Sequence, residues 1–535
     1  LVPLIADRLL WAPSPPLSLF LPPEDSFTFR KCLTQAMLAV LRWVDSHATQ
    51  VLTLSLRDVI SWIQFWNHFV GHHPSHAYSF ESAIEGFFHG GCMLFVDGIA
   101  PSRRAMTLSL TTRGLPSVYG EAMEELLMWH TESLCHQFSE NLPPQFFLHL
   151  KHACGIDGLQ WIRNNFVSIE AKRSGEADIP STYPVGAFRI PFVSSQATAA
   201  LKDQSSLKAS PLYGLPESSV YTYHAASTAT NLGKILRGLQ LEKAILLDGP
   251  PGVGKTSLVQ ALAAHTGNSL IRINLSEQTD MMDLLGSDVP FSSSSQTHQE
   301  GRTLSQFQWM DGVLVQAMKT GQWVLLDELN LAPQPVLEGL NALLDHRKEV
   351  YIPEMDTVVS CAPSFRLFAS QNPSSESGGG RKMLPRSFLN RFTRIFVEDL
   401  SWEDCFCIAS HLYGECIDTS LLQTLCCLLK EIQTLCETLP FEGHTQLKWN
   451  LRDLLKLCET VKLQIPTSDP STSAALLIVS CLRTPTDRHA ALLCISKHFS
   501  PSEETMNSTK EEDRVKVFLQ ESTQLVSDFT TLCRP

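Results

Sequence analysis

Three things are scarce in this sequence of 535 residues, and each scarcity narrows what the chain does. Cations come first: 42 lysines and arginines stand against 55 aspartates and glutamates, a net charge of −13. Surfaces that hold nucleic acid or anionic membranes need clustered positive charge, so this balance argues against both and points to protein partners. Long uninterrupted apolar runs are the second. The start, Leu1 to Pro23, is apolar, but Asp7, Arg8 and six prolines break it, so neither a signal peptide nor a membrane span is expected there. Leu1 stands where a start methionine would, which suggests a piece of something larger. Paired cysteines are the third: fifteen are scattered without a Cys-x-x-Cys pair. Cys426, Cys427, Cys436 and Cys458 sit in apolar, helical-looking runs, where a thiol packs as a small hydrophobe, and this suits a reducing compartment.

What is present is a globular composition, 44% apolar and long enough for several domains. Residues 1–165 are mostly helical, with apolar residues at three- and four-residue intervals over Phe29–Val44, Leu54–Phe69 and Glu121–Phe138. A connector rich in Ser, Pro, Ala and Thr occupies 166–219. Over 220–400, short aliphatic runs alternate with helical patterns: Ala244–Asp248, Lys255–Thr266, Leu270–Leu275, Trp323–Asp327, Gln334–Leu344, Arg366–Ser370 and Arg394–Val397. Such alternation predicts an α/β domain with a parallel sheet and helices on both faces. Helices return over 401–535, clearest at Leu421–Leu435 and Leu451–Leu463. Leu56-Arg57-Asp58 in the first region is echoed by Leu451-Arg452-Asp453 in the last. The echo predicts that the first region is the helical lid of a preceding module.

Gly249-Pro250-Pro251-Gly252-Val253-Gly254-Lys255-Thr256 matches G-x-x-x-x-G-K-[ST] between an aliphatic strand and a helix beginning at Ser257. Glycines let backbone N–H groups wrap phosphates, the helix N-terminus adds positive potential, Lys255 reaches the outer phosphates, and Thr256 is a Mg²⁺ ligand. Residues 249–257 are therefore the expected ATP-binding set. Trp323-Val-Leu-Leu-Asp327-Glu328 is an aliphatic strand ending in two acids, placing Asp327 to hold Mg²⁺ and Glu328 to polarise the attacking water. Asn372, at the tip of Arg366–Ser370, is expected to orient the same water. Arg391, before the strand Arg394–Val397, is expected to project toward the nucleotide of an adjacent module, with Arg386 as competitor. Arg452 is expected to reach phosphate from the helical lid.

Together these residues resemble an AAA+ ATPase. The segment Glu277-Gln-Thr-Asp280 through Gly286, the Ser/Gln-rich insert Ser292–Thr303, Phe307-Gln-Trp309 and the hairpin pattern over Lys348–Ser360 resemble the branch shared by MoxR-like ATPases, magnesium chelatases, dynein and midasin. The wording Leu-Leu-Asp327-Glu328-Leu-Asn330-Leu-Ala332, Ser370-Gln-Asn372-Pro373 and Pro385-Arg386-Ser-Phe-Leu-Asn-Arg391-Phe392 is most similar to the midasin family, with a looser likeness at Gly186-Ala-Phe-Arg-Ile-Pro-Phe192. The resemblance implies a P-loop AAA+ sheet with all-α lids, flanked by neighbouring modules of the same chain in a ring. It implies ATP and Mg²⁺ as cofactors and hydrolysis that remodels pre-60S ribosomal particles and releases assembly factors. It further implies a location in the nucleus, in nucleolus and nucleoplasm, with no direct sequence-specific nucleic acid and no membrane. Two other readings remain: a ring module that binds nucleotide without turnover, or a MoxR- or dynein-like ATPase with other substrates. His72-His73-Pro74-Ser75-His76 lacks further ligands at metal spacing and reads as a polar loop, and Phe95-Val-Asp97-Gly98 reads as a turn.

Overall fold

The structure is a computed structural model that describes residues 23–48, 52, 56–72, 80–100, 104, 107–108, 117–137, 182–185, 188–191, 225–266, 268–291, 306–372, 383–438, 448–464, 470–482 and 485–499. The chain start, the 73–76 part of the histidine run, most of the connector, the 292–303 insert and Pro373 lie outside these residues. The described residues divide into two compact units, one drawn from Leu1–Gly214 and Ala229–Glu398, the other from Leu215–Thr228 and Asp399–Pro535.

The first unit opens with helices α1 (Pro23–His47), α2 (Leu56–His72), α3 (Phe80–Phe95) and α4 (Tyr119–Gln137). Their apolar stripes close on a core of Phe29, Trp62, Trp66, Phe87, Phe95 and Leu127. Helix α3 lies in the stretch expected to be mostly helical but was not delimited there, because it carries Gly86, Gly90 and Gly91, which disfavour a helix in isolation. Packing reverses that preference: a Cβ on Gly90 would sit 2.6 Å from Cδ1 of Trp62, so only glycine lets the indole lie against the helix backbone. Trp62 Nε1 donates to the Phe87 carbonyl at 3.1 Å, and Trp66 Nε1 to that of Ala83 at 2.8 Å. Two short antiparallel ladders follow, β1 (Thr107–Leu108) with β2 (Ser117–Val118) and β3 (Thr182–Val185) with β4 (Phe188–Pro191).

The same unit then winds helix α5 (Ala226–Leu239) into a five-stranded parallel sheet. Its strands are β5 (Ile245–Asp248), β6 (Leu270–Asn274), β9 (Trp323–Asp327), β12 (Arg366–Gln371) and β13 (Thr393–Phe396), ordered β13-β5-β12-β9-β6. Every residue of β9 is buried, the pattern of a strand covered on both faces. Flanking helices are α6 (Lys255–Thr266), α7 (Met281–Leu285), α8 (Val313–Thr320), α9 (Gln334–Leu344) and α10 (Arg386–Leu389). Two hairpins decorate the sheet: β7 (Gly286–Phe291) with β8 (Gln306–Asp311), and β10 (Glu349–Ile352) with β11 (Thr357–Ser360). The parallel sheet with its helices is the α/β architecture expected from the sequence, and the second hairpin falls where the 348–360 alternation put it. The bundle is fastened to the sheet at the turn after α3, where buried Asp97 takes Nε and Nη2 of Arg237 at 2.8 and 2.7 Å. The Asp97 carbonyl accepts from Phe396 N at 2.7 Å. Beside it, Glu398 pairs with Arg104 at 2.6 Å and Lys234 at 2.7 Å.

The second unit is all helical: α11 (Trp402–Tyr413), α12 (Thr419–Thr438), α13 (Leu451–Gln464), α14 (Pro470–Cys481) and α15 (Pro485–Phe499). They enclose Leu425, Leu428, Leu429, Leu454, Leu457, Ile478 and Ile495. Cys426 and Cys458 pack in this core as expected, but Cys427 is exposed, because the residue following a core position on a helix turns 100° toward solvent. The Cys436 side chain lies outside the described residues. No helix among the described residues is long and apolar enough to cross a membrane.

Candidate phosphate and hydrolysis site

All five sheet strands run the same way, so their carboxyl ends share one edge, and residues 248–256, 327–328 and 371–372 meet there. The loop after β5 turns through Gly252 and Gly254, both at left-handed φ of 86° and 85°, and runs into α6, whose first residue is Lys255. The first N–H groups of a helix lack partners within it, which makes this end of α6 an anion-seeking surface.

Buried Lys255 donates from Nζ to the carbonyls of Gly249 at 2.6 Å and Pro250 at 2.9 Å, and to Oδ1 of Asn372 at 2.6 Å. The amide of Asn372 in turn donates through Nδ2 to Oε1 of Glu328 at 2.7 Å. One asparagine at the tip of β12 thus holds the lysine of the loop and the second acid of β9. Its own main-chain carbonyl is held by Asn330 Nδ2 at 2.9 Å. Glu328 takes a left-handed backbone, φ 58° and ψ 46°, which turns the chain sharply just after the strand.

Asp327 sits between α6 and β6. Thr256 Oγ1 donates to its Oδ2 at 3.3 Å, Ser370 Oγ donates to Oδ1, and Arg272 of β6 reaches Oδ2 with Nε at 2.9 Å and Nη2 at 2.5 Å. Burial pushes the Asp327 carboxyl upward, but the hydroxyls of Ser370 and Thr256 and the Arg272 guanidinium outweigh it and hold the group below the usual aspartate range. It is an anion at neutral pH with hard oxygen atoms beside a hydroxyl, a donor set that suits Mg²⁺.

The structure therefore gathers Lys255, Thr256, Asp327, Glu328 and Asn372 into one cluster. Of the two arginines, Arg391 stands elsewhere in the first unit, and Arg452 belongs to the second. Arg391 follows α10 and precedes β13, at the amino edge of the sheet, where its Nη1 pairs with Asp345 and donates to the Asn341 carbonyl at 3.3 Å. It lines a cleft of about 580 Å³ with Arg57, His68, Lys243, Lys348 and Arg366. Arg452 is exposed on α13 in the second unit, one residue into the helix, with its N–H on Asn450 Oδ1 at 2.9 Å. Arg272, Ser370 and Asn330 were not singled out for any role by the sequence. The available signal for Arg272 was a cation alternating with isoleucines on a strand that pairs with the acidic one.

Comparison with known proteins follows the same division. A family model described as an AAA domain of the dynein-related subfamily matches residues 244–392, and one described as the midasin AAA lid domain matches 404–502. Midasin of Dictyostelium discoideum is 35% identical over 458 residues, 84% of this chain and 7% of that protein. Midasin of Giardia intestinalis is 45% identical over 237 residues, 44% of this chain and 5% of that protein. An uncharacterized protein of Staphylococcus aureus is 33% identical over 172 residues, 32% of this chain and 61% of its own length. The chain thus spans less than a tenth of either midasin.

Proposed function

The chain belongs to the midasin family of AAA+ ATPases, and from that premise we propose that residues 220–400 with 401–535 form one hydrolytic module, preceded over 1–165 by the lid of another module and a connector at 166–219. Such modules line up in a ring within one longer chain, and their ATP turnover remodels pre-60S ribosomal particles and frees assembly factors in the nucleus.

The observation that carries the reading is the continuous hydrogen-bonded line from Lys255 through Asn372 to Glu328, beside Asp327. Residues 249–257 hold the triphosphate through backbone N–H groups, with Lys255 neutralising its outer oxygens. Thr256 and Asp327 are the residues fit to hold Mg²⁺, which when bound draws charge from the phosphate oxygens. Glu328 accepts the proton of the attacking water, and Asn372 fixes the direction in which that carboxylate points. In the cleft at the opposite edge, Arg391 and Arg57 stand together among further cations, which supports a role for both toward phosphate held by the preceding module. Arg452 of the second unit is the corresponding candidate there for a role toward phosphate.

Lys255→Ala is expected to abolish retention of radiolabelled ATP on a filter, while Glu328→Gln retains ATP and loses turnover at least about 100-fold. Equal retention by wild type and Lys255→Ala sinks the assignment.

A further inference from the structure

In the second unit, far in sequence from the phosphate loop, helices α12 and α15 bring three metal-binding side chains together. Cys494 and His498 are four residues apart on α15, which places both on one face of the helix. Glu431 of α12 faces them, and the thiol sulfur, an imidazole nitrogen and a carboxylate oxygen all lie within 4.8 Å of one another. Cys494 is buried at 5% exposure, and the His498 and Glu431 side chains are 20% and 36% exposed. The group is therefore closed beneath and open to solvent above.

We propose that Cys494, His498 and Glu431 form a transition-metal site of the zinc class, with three protein ligands and a fourth position for water. A thiolate, an imidazole and one carboxylate oxygen are a borderline-soft set that selects Zn²⁺ over Mg²⁺ or Ca²⁺. The wider arrangement suits this use. His498 Nε2 already lies 2.6 Å from Oε2 of Glu431, while Lys497 Nζ holds the other oxygen, Oε1, at 3.2 Å. A carboxylate that binds metal through one oxygen commonly has the other held by an outer donor, and Lys497 is placed as that donor. On binding, the Cys494 thiol gives up its proton to solvent and forms the sulfur–metal bond, His498 releases the Nε2 proton it shares with Glu431 and, neutral with its proton on Nδ1, supplies the Nε2 lone pair, and Glu431 turns Oε2 from the histidine to the metal. No electron changes hands. Burial pushes the Cys494 thiol up to about 11, so it stays protonated and unreactive until a cation takes it. The metal would tie α12 to α15, whose buried faces belong to the same core.

Cobalt is the probe, because a thiolate bound to Co²⁺ gives a charge-transfer absorption that the hydroxyl and carboxylate groups around the phosphate loop cannot produce. The full chain, stripped of metal and titrated with Co²⁺, is expected to take up one equivalent with that band, and Zn²⁺ is expected to bleach it. Cys494→Ser loses the band, Glu431→Gln binds cobalt at least tenfold more weakly, and Cys481→Ser, which removes an exposed thiol of α14, behaves as wild type. Melting of each variant without metal shows that the fold is kept. Absence of a thiolate band in the wild type, or its survival in Cys494→Ser, overturns the proposal.

Discussion

Arg272 illustrates how much of a site can hide from a motif. Lys255, Thr256, Asp327 and Glu328 were legible because a phosphate loop and an acidic strand end have fixed residue types at fixed spacing. Arg272 and Ser370 act across strand neighbours, so their partners are set by sheet order rather than by sequence distance. Their effect is electrostatic and testable. The folded-state pKa of Asp327 lies below its ordinary value, so its contribution to stability is present above the unfolded pKa and is lost as pH falls through the folded one. Arg272→Leu raises the folded pKa toward the unfolded value. The variant is expected to be about 2 kcal/mol less stable at neutral pH. Having less of this contribution to lose, the variant should depend less on acid pH, so its deficit against the wild type narrows as pH falls through the carboxylate range, as read by urea titrations at successive pH values; a deficit that stays constant down to the lowest pH would rule this out.

Among the elements, the sheet strands were legible one by one, whereas α3 was covered only by the general helical expectation for its region. Strands such as Trp323–Asp327 announce themselves as buried aliphatic runs closed by polar residues. Helix α3 looks broken in sequence because its three glycines are needed by neighbours far along the chain, Gly86 and Gly90 by Trp66 and Trp62 on α2, and Gly91 by Leu127 on α4. Gly90→Ala is the matching test. Alanine is the better helix former, so intrinsic propensity predicts a gain of about 1 kcal/mol. The 2.6 Å approach of Trp62 predicts a net loss of about 1–3 kcal/mol by overpacking, seen as a lower melting temperature. A higher one would mean that the indole moves away freely. Helices α14 and α15 fall in the region expected to be helical but were not delimited there, although each begins at a proline, Pro470 and Pro485, which is tolerated in a first turn.

At the scale of the whole molecule, composition and motif order announced an α/β domain between helical regions, but not the joint between the first bundle and the sheet. That joint rests on Asp97, which the sequence presented only as a turn residue. Its side chain is 1% exposed and that of Arg237 11%, so removing one charge strands the other in a dry place. Asp97→Ala is expected to cost about 3–5 kcal/mol, read by chemical denaturation, whereas Lys319→Ala, which breaks an exposed pair with Asp311, should cost less than about 1 kcal/mol.

The 2.7 Å bond from Phe396 N to the Asp97 carbonyl has a mechanical corollary. Phe396 lies beside Asp248 across the β13–β5 ladder, and Asp248 is the last residue before Gly249. Any tilt of the N-terminal helices must therefore either snap that tether or drag the anchor of the candidate phosphate loop along with it, a path of one tether, one rung and one peptide.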